Sequence, residues 1–239
     1  MSLAERSYLG EIPVAAEAGI EVRAEFIKKT YFNLAGAIGA FVALEAVLLN
    51  LPVTERFCEA IYVSRFGWLA VLGVFMVVSY VANRWAHSAV SLGTQYLGLG
   101  LYVVAEAIIF TPLLYIAHKY AGDGSTVIQT AGAMTLITFA GLTAIVFVTR
   151  KNFSFLQPVL MLGGLVACGL IVCSILFGFN LGTFFTVAMI GLASGYILYH
   201  TSAVLHEYRI GQHVAAALGL FASVALLFWY ILQFVMNRD

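Results

Sequence analysis

The sequence predicts an all-α integral membrane protein built as a bundle of seven transmembrane helices. Of its 239 residues, 62% are hydrophobic and 10% are charged, whereas soluble proteins average about 25% charged residues. Seven stretches are apolar over the length, roughly 20 residues, that a helix needs to cross the hydrocarbon core of a bilayer. A water-soluble helix is rarely apolar on all sides over such a length.

The predicted spans follow one another closely. They are Tyr31–Asn50, Gly67–Ala82, Ala89–Ile116, Thr126–Val148, Pro158–Gly178, Thr183–Leu205 and Val214–Val235. Short links between long helices force neighbours to run antiparallel, so we expect an up-down bundle. Helices in lipid approach closely at small residues. The candidate contact residues are Gly36 and Gly39, Gly98 and Gly100, Gly163 and Gly164, and Gly191 and Gly195.

Residues 1–29 are predicted to form an N-terminal cytoplasmic tail, and residues 30–236 the membrane domain. The N-terminal segment is polar and acidic and lacks the apolar core of a signal peptide. It is either a mobile tail or an amphipathic helix on the membrane surface. With the N-terminus inside, 8 of the 12 lysines and arginines fall on the inside faces. The positive-inside rule therefore predicts a cytoplasmic N-terminus.

Several function classes find no support in the sequence. A net charge of zero gives no indication of nucleic acid binding. No P-loop, nucleophile elbow or dinucleotide fingerprint is present, and we predict neither enzymatic activity nor a cofactor. His200 and His206 fall on different faces of one helix, and the three cysteines show no metal-site spacing. We therefore predict no metal site, which also argues against a seven-span zinc hydrolase.

Four ionisable residues within the spans are candidates for an ion path or a pH sensor, because such groups usually face the bundle interior or a watery cavity. Glu106 lies deep in the third span, and Glu45 lies near the outer end of the first, where it could reach the interface. Each carboxyl is either an ion or proton site or a protonated structural group. His200 is either pH-sensitive or a neutral hydrogen-bonding residue. Arg84 ends the second span and could snorkel to water.

Four segments, in order, resemble motifs of the Bax inhibitor-1 family in its bacterial branch. Residues 26–31, FIKKTY, resemble the F-x-x-K-T-Y entry to the first span, and residues 149–156, TRKNFSFL, resemble the T-K-K-D-F-S-x-L link. Residues 196–201, YILYHT, resemble Y-I-L-Y-D-T, and the segment beginning at residues 216–221, AALGLF, is similar to the final span A-A-L-x-L-Y-L-D. The resemblance covers roughly Phe26 to Met236.

The resemblance implies a helical bundle that, in some family members, leaks calcium across the membrane under pH control. The family's sensor is a pair of aspartates, and the matching positions here are His200 and Ser223. Arg84 matches the family's arginine near the inner end of the second span. Two carboxylates sharing a proton cannot exist at this site, although His200 and Ser223 could hydrogen-bond across the last two spans. Protonating His200 would repel a cation, so we expect pH gating of the opposite sign.

The leading functional prediction is a pH-modulated cation (calcium) leak or ion-homeostasis protein, with the aspartate pair replaced by His200 and Ser223. Glu106, Glu45 and Arg84 are the further candidate residues. The alternative is a modulator or binding partner of a membrane protease, or of another membrane complex, without transport activity. The predicted partners are thus the lipid bilayer, calcium or another cation, and a membrane protein.

Overall fold

The computed structural model describes residues 13–64, 66–88, 91–120 and 124–237. Within these ranges the chain forms eight α-helices. They are α1 (Ile20–Leu48), α2 (Pro52–Val63), α3 (Gly67–Ala86), α4 (Leu92–Tyr120), α5 (Gly124–Thr149), α6 (Leu156–Phe177), α7 (Gly182–His206) and α8 (His213–Met236). All except α2 are long and apolar enough to cross a membrane. The predicted all-α, seven-span fold class is confirmed.

Two elements differ from the prediction. The first helix begins at Ile20 instead of Tyr31, because a helix continues through polar residues that need not enter the hydrocarbon. The longest predicted loop contains α2, a helix of 12 residues that starts with Pro52, the residue type whose fixed φ suits the first turn of a helix. The last helix is continuous over 24 residues, about 36 Å at 1.5 Å per residue.

Two helices form the centre of the bundle. Of the 18-residue window that defines each span, 72% is buried in α8 and 61% in α4, against 22% or less in the other five. Helix α8 packs against α1, α3, α4, α5 and α7. By contrast, α6 packs along α7 and touches α3. The outer helices therefore surround a pair of central ones, and α6 lies at the margin.

The predicted helix contacts are confirmed at four of the eight candidate glycines and are wrong at the other four. A Cβ on Gly98 would stand 2.6 Å from the backbone of Ala82 and Ala86, so α3 and α4 meet there. Gly163, Gly164 and Gly195 likewise lie against side chains between α6 and α7. The other four candidates have no atom within 4 Å of such a Cβ and face outward: Gly36, Gly39, Gly100 and Gly191.

A short N-terminal strap, residues 13–15, packs on the α7–α8 link. Val14 forms an antiparallel bridge with Arg209, and the Ala15 amide donates to the Tyr208 carbonyl at 2.9 Å. The Ala15 side chain is fully buried. Residues 1–12 of the predicted tail lie outside the described residues. We call the end of the bundle with this strap the N-terminal end and the opposite end, with α2 and the α6–α7 link, the α2 end.

Candidate functional site

A large cavity of about 1180 Å³ lies between α3, α4, α6, α7 and α8. At the α2 end it is lined by Asn180 of the α6–α7 link and by Asn237 just after α8. At its other end it reaches His200 and Ser223, in the half of α7 and the half of α8 that lie toward the N-terminal end. We call this space the main cavity; it extends along much of the bundle.

The wall of the main cavity contains many aromatic side chains. Ten phenylalanine, tyrosine and tryptophan residues of the described ranges line it: Tyr62, Trp68, Phe75, Tyr102, Phe110, Phe179, Phe185, Tyr196, Trp229 and Tyr230. Several of these rings meet edge to face, with centroids 4.9 Å apart for Phe110 and Trp229 and 6.1 Å apart for Trp68 and Trp229. Such edge contacts give the wall a fixed shape.

Glu106 supplies the single carboxyl group among the described residues that line the main cavity. Its side chain is only 6% exposed. The Tyr102 hydroxyl, one turn earlier on α4, is its hydrogen-bond partner. No lysine or arginine of the described ranges lines the same space. Glu106 is therefore an acidic group in a mostly apolar cavity, and His200 is the one basic side chain among the described lining residues.

His200 lies at the end of the main cavity nearer the N-terminal end of the bundle, and aromatic rings surround it. The Tyr199 ring is 5.0 Å away and the Tyr196 ring 6.3 Å away, centroid to centroid. Across the helix boundary, His200 rests on the backbone of Gly219 in α8. Its Nδ1 atom is buried and has no hydrogen-bond partner in the described part of the chain. This nitrogen could accept or donate a proton without breaking a bond to the protein.

The hydrogen bond that His200 and Ser223 could form across the last two spans is not present. The Ser223 hydroxyl donates to the Gly219 carbonyl at 2.9 Å, one turn back on α8. Serine within a helix commonly satisfies itself in this way. Nevertheless, the structure brings His200, Ser223 and Glu106 to the lining of one cavity.

Glu45 lies elsewhere and does not line the main cavity. It is 5% exposed, so it does not reach the membrane interface. The Thr111 hydroxyl of α4 lies 3.3 Å from its Oε2 atom and also contacts the Ala107 carbonyl at 2.8 Å. The other carboxyl oxygen, Oε1, is buried with no partner among the described residues. Glu45 thus joins α1 to α4 as a packing contact.

Arg84 is exposed and lines a second cavity of about 790 Å³ toward the N-terminal end. His87 lines it too, and its ring lies 6.4 Å from that of Tyr208 in the α7–α8 link. Burial raises the pKa of Tyr208 well above its ordinary value. The second cavity and the main cavity share three lining residues: Phe75, Met76 and Tyr102.

Sequence reasoning missed the groups that shape the site. The position of Tyr102 could have been predicted as a neighbour of Glu106, because residues four apart share a helix face and Tyr102 precedes Glu106 by one turn. Trp68, Trp229 and Gly219 had no such signal, because aromatic residues and glycines are common in apolar spans. No group of three or more histidine, cysteine, aspartate or glutamate side chains in the described ranges is arranged to hold a metal ion.

Comparison with known proteins agrees with this architecture. The profile of a family described as "Inhibitor of apoptosis-promoting Bax1" matches residues 23–239. The chain belongs to the Bax inhibitor-1 family. This confirms the resemblance seen in the sequence motifs, and the match covers all seven spans.

Two curated relatives of this Bax inhibitor-1 protein align over most of its length. One is "Uncharacterized protein PA2604" of Pseudomonas aeruginosa, 27% identical over 210 residues, with 87% of this chain and 86% of the relative covered. The other is "Protein lifeguard 4" of Mus musculus, 25% identical over 232 residues, with 92% and 88% covered. The chain is thus a multi-pass membrane protein of a family with both bacterial and animal relatives.

Proposed function

We propose that this Bax inhibitor-1 family protein is a pH-modulated cation leak, with calcium as a candidate ion, that acts in ion homeostasis. We place it in a bacterial inner (plasma) membrane with the N-terminus in the cytoplasm. The observation that supports a leak is the main cavity, which extends from the α2 end to His200 and contains Glu106. It meets the second cavity at Phe75, Met76 and Tyr102.

The cavities offer a route that avoids most of the hydrocarbon. A bare charge at the centre of a bilayer is strongly disfavoured, and a cavity lined by a carboxyl and a few other polar groups lowers that barrier. Calcium takes six to eight oxygen ligands in a stable site, whereas Glu106 is the single carboxyl among the described lining residues. A calcium ion would therefore be attracted to the Glu106 carboxyl without finding enough oxygen ligands for a stable site. Tyr102 lies where the two cavities meet and is also the hydrogen-bond partner of Glu106. A shift of this ring would therefore change the connection between the cavities and the position of the carboxyl group.

His200 supplies the pH response in this proposal. Acidification is the direction that protonates its imidazole, which would add a positive charge to the cavity that contains Glu106. The groups nearest to it are Tyr196 and Tyr199 of α7, Gly219 of α8 and Tyr208 of the link, and His87 just after α3 also interacts with it. Because none of these is an anion at neutral pH, the new charge would not be neutralised locally. Acid should therefore reduce cation flux.

Calcium flux into dye-loaded proteoliposomes, measured in steps from about pH 4 to pH 8, tests both parts of this proposal. Native protein should conduct, with a flux that is larger at the highest pH than at the lowest. His200→Gln should conduct with little pH dependence, since it cannot be protonated in that range. A flux that rises on acidification in native protein contradicts the proposed sign, and no flux at any pH contradicts the leak.

The double variant His200→Asp, Ser223→Asp separates the leak from the alternative function. If only this variant conducts, the native chain has the family scaffold without the leak. The second candidate, a modulator or binding partner of a membrane protease or another membrane complex, would then lead. It is favoured by one observation: the Ser223 hydroxyl is bonded to its own helix, and neither sensor position offers a carboxylate.

The partner function has its own test in the N-terminal segment. Deleting residues 1–12 removes sequence before the strap and leaves the strap and α1 in place. A longer deletion through residue 25 would remove both the strap and the start of α1. Loss of a co-purifying membrane protease on the short deletion, with calcium flux unchanged, would support a binding role. Retention of the partner would exclude this segment as its contact.

A further inference from the structure

Two residues that line the main cavity at mid-span have exposed surface. Met76 lies in the middle of α3 and is 60% exposed, and Cys168 lies in the middle of α6 and is also exposed. Both residues line the main cavity, and α3 and α6 are neighbours. This pair of exposed residues on adjacent walls is where we place a lateral entrance, at the depth of the acyl chains.

The wall that such a ligand meets favours a positive charge. Trp68, Phe110 and Trp229 form a connected set of edge-to-face rings. The face of an aromatic ring attracts cations, and tryptophan does so most strongly. The same rings also bury apolar surface, so the wall suits a molecule that is both apolar and cationic.

The charged groups that line the cavity determine which sign of ligand charge it favours. Glu106 is buried there with Tyr102 as its hydrogen-bond partner, and no described lysine or arginine lines the space. A fatty acid or another anion would meet this carboxyl, and the His200 imidazole would have to take up a proton to compensate it. A neutral lipid chain would leave the carboxyl unused. A cation would supply the opposite charge that stabilises the ionised carboxylate.

We propose that the main cavity binds a lipophilic organic cation, a molecule with an aromatic or apolar body and one positive charge. It enters from the bilayer between α3 and α6 and places its charge between Glu106 and the rings of Trp68 and Trp229. The volume of about 1180 Å³ exceeds that of most small-molecule pockets, about 300–1,000 Å³. This binding does not depend on the proposed ion leak.

The binding test compares tetraphenylphosphonium with tetraphenylborate, which have nearly the same shape and opposite charges. The readout is tryptophan fluorescence in the variant Trp85→Phe, which leaves Trp68 and Trp229 in the cavity wall as the two reporters. The protein is titrated in neutral detergent micelles. We expect saturable quenching by the cation and only linear, non-saturating quenching by the anion.

Two carboxyl variants identify the group that selects the charge. Glu106→Gln should weaken tetraphenylphosphonium binding about tenfold, because the buried countercharge is lost. Glu45→Gln is the matched control: it removes an equally buried carboxyl that does not line the main cavity. The Glu45→Gln protein should bind tetraphenylphosphonium with the same affinity as the parent protein. Equal affinity in the Glu106→Gln and parent proteins would overturn the proposal, as would saturable binding of tetraphenylborate.

A second measurement keeps the proposal testable if Glu106→Gln does not fold. Cys168 lines the opening, so its alkylation by a maleimide reports whether the space is occupied. In a Cys58→Ser, Cys173→Ser background, tetraphenylphosphonium should slow alkylation of Cys168 several-fold, and a neutral monoacylglycerol should not. Protection by the monoacylglycerol alone would assign the cavity to a lipid chain and overturn the proposal. Both measurements are independent of ion flux.

Discussion

The His200 imidazole rests directly on the backbone of Gly219. A Cβ at position 219 would stand 2.8 Å from Nδ1 of His200 and 3.2 Å from the Tyr208 hydroxyl. Both distances are below ordinary van der Waals contact. Glycine at this position of α8 therefore provides the space in which the imidazole of α7 lies at the inner end of the main cavity.

Gly219→Ala should displace the His200 ring and destabilise the protein. Alanine favours a helix over glycine by about 1 kcal/mol, but overpacking a closed contact costs about 1–3 kcal/mol. We expect a lower midpoint in thermal unfolding of the detergent-solubilised protein. In a His200→Ala background the crowding atom is gone, so Gly219→Ala should then be neutral or stabilising.

This cycle of four proteins measures the coupling between the two positions. The Tyr208 hydroxyl is the far end of a side chain and is common to all four proteins. Additive effects of Gly219→Ala and His200→Ala would show that the imidazole does not occupy the space above Gly219.

Two glycines of α4, Gly98 and Gly100, separate the effect of helix packing from that of helix propensity. Gly98→Ala would place a methyl group 2.6 Å from the Ala82 carbonyl oxygen and from the Ala86 amide nitrogen. These are backbone atoms and cannot rotate away, so α3 and α4 must separate. We expect a loss of about 1–3 kcal/mol, measured by reversible unfolding in mixed micelles.

Gly100→Ala is the control for Gly98→Ala, since it lies in the same helix and has no atom within 4 Å of the new methyl group. The gain in helix propensity is similar at both positions. Gly100→Ala should therefore be neutral or slightly stabilising. If both variants were equally stable, the close approach of α3 and α4 at Gly98 would be wrong.

The spans were predictable from sequence because apolar length is a local property of the chain. The packing faces were not. Gly36 and Gly39 are small residues of the kind found at helix contacts, yet α1 turns Leu34, Ala37 and Phe41 inward instead. Which face of a helix meets its neighbour depends on the whole bundle, and an all-round apolar helix gives no periodicity from which to read it.

The site was predictable in part for the same reason. Glu106 and His200 are conspicuous in sequence as ionisable groups inside apolar spans. Their position on one cavity follows only from the way α4, α7 and α8 pack. The possible hydrogen bond between His200 and Ser223 does not form, because a serine hydroxyl reaches the carbonyl of its own helix, here that of Gly219, more readily than a neighbouring helix.

The ion pair between α2 and α4 should make the docking of α2 depend on pH. Glu55 Oε1 accepts hydrogen bonds from Lys119 at 2.7 Å and from the Tyr115 hydroxyl at 3.0 Å. These bonds, that from Lys119 above all, hold the pKa of Glu55 below its ordinary value. A lowered pKa contributes stability above the unfolded pKa, about 4.3, and that contribution is lost as pH falls through the folded pKa.

A nitroxide label on exposed Glu59→Cys of α2, in a background without native cysteines, measures this docking. Its spectrum should be ordered at neutral pH and become more mobile below about pH 4. With Glu55→Gln added, the label should already be more mobile at neutral pH, with no further change in the acid. An unchanged spectrum in that variant would show that the pair with Lys119 does not anchor α2.

The two buried carboxyls of the bundle should differ in their effect on cation flux. Glu106 lines the main cavity, whereas Glu45 is packed against Thr111 between α1 and α4 and does not. A charge lining a cleft raises the local cation concentration and the entry rate by tenfold or more. Glu106→Gln should therefore lower calcium flux in proteoliposomes about tenfold, and Glu45→Gln should leave it close to that of native protein.

The same pair of variants tests whether the route follows the main cavity at all. Both substitutions keep the size of the side chain, so a difference between them reflects the carboxylate charge at each place. If Glu45→Gln reduced the flux and Glu106→Gln did not, ions would cross along the α1–α4 contact instead. If neither had an effect, no buried carboxyl would line the route, and the cavity beside His200 would serve the binding of an organic cation alone.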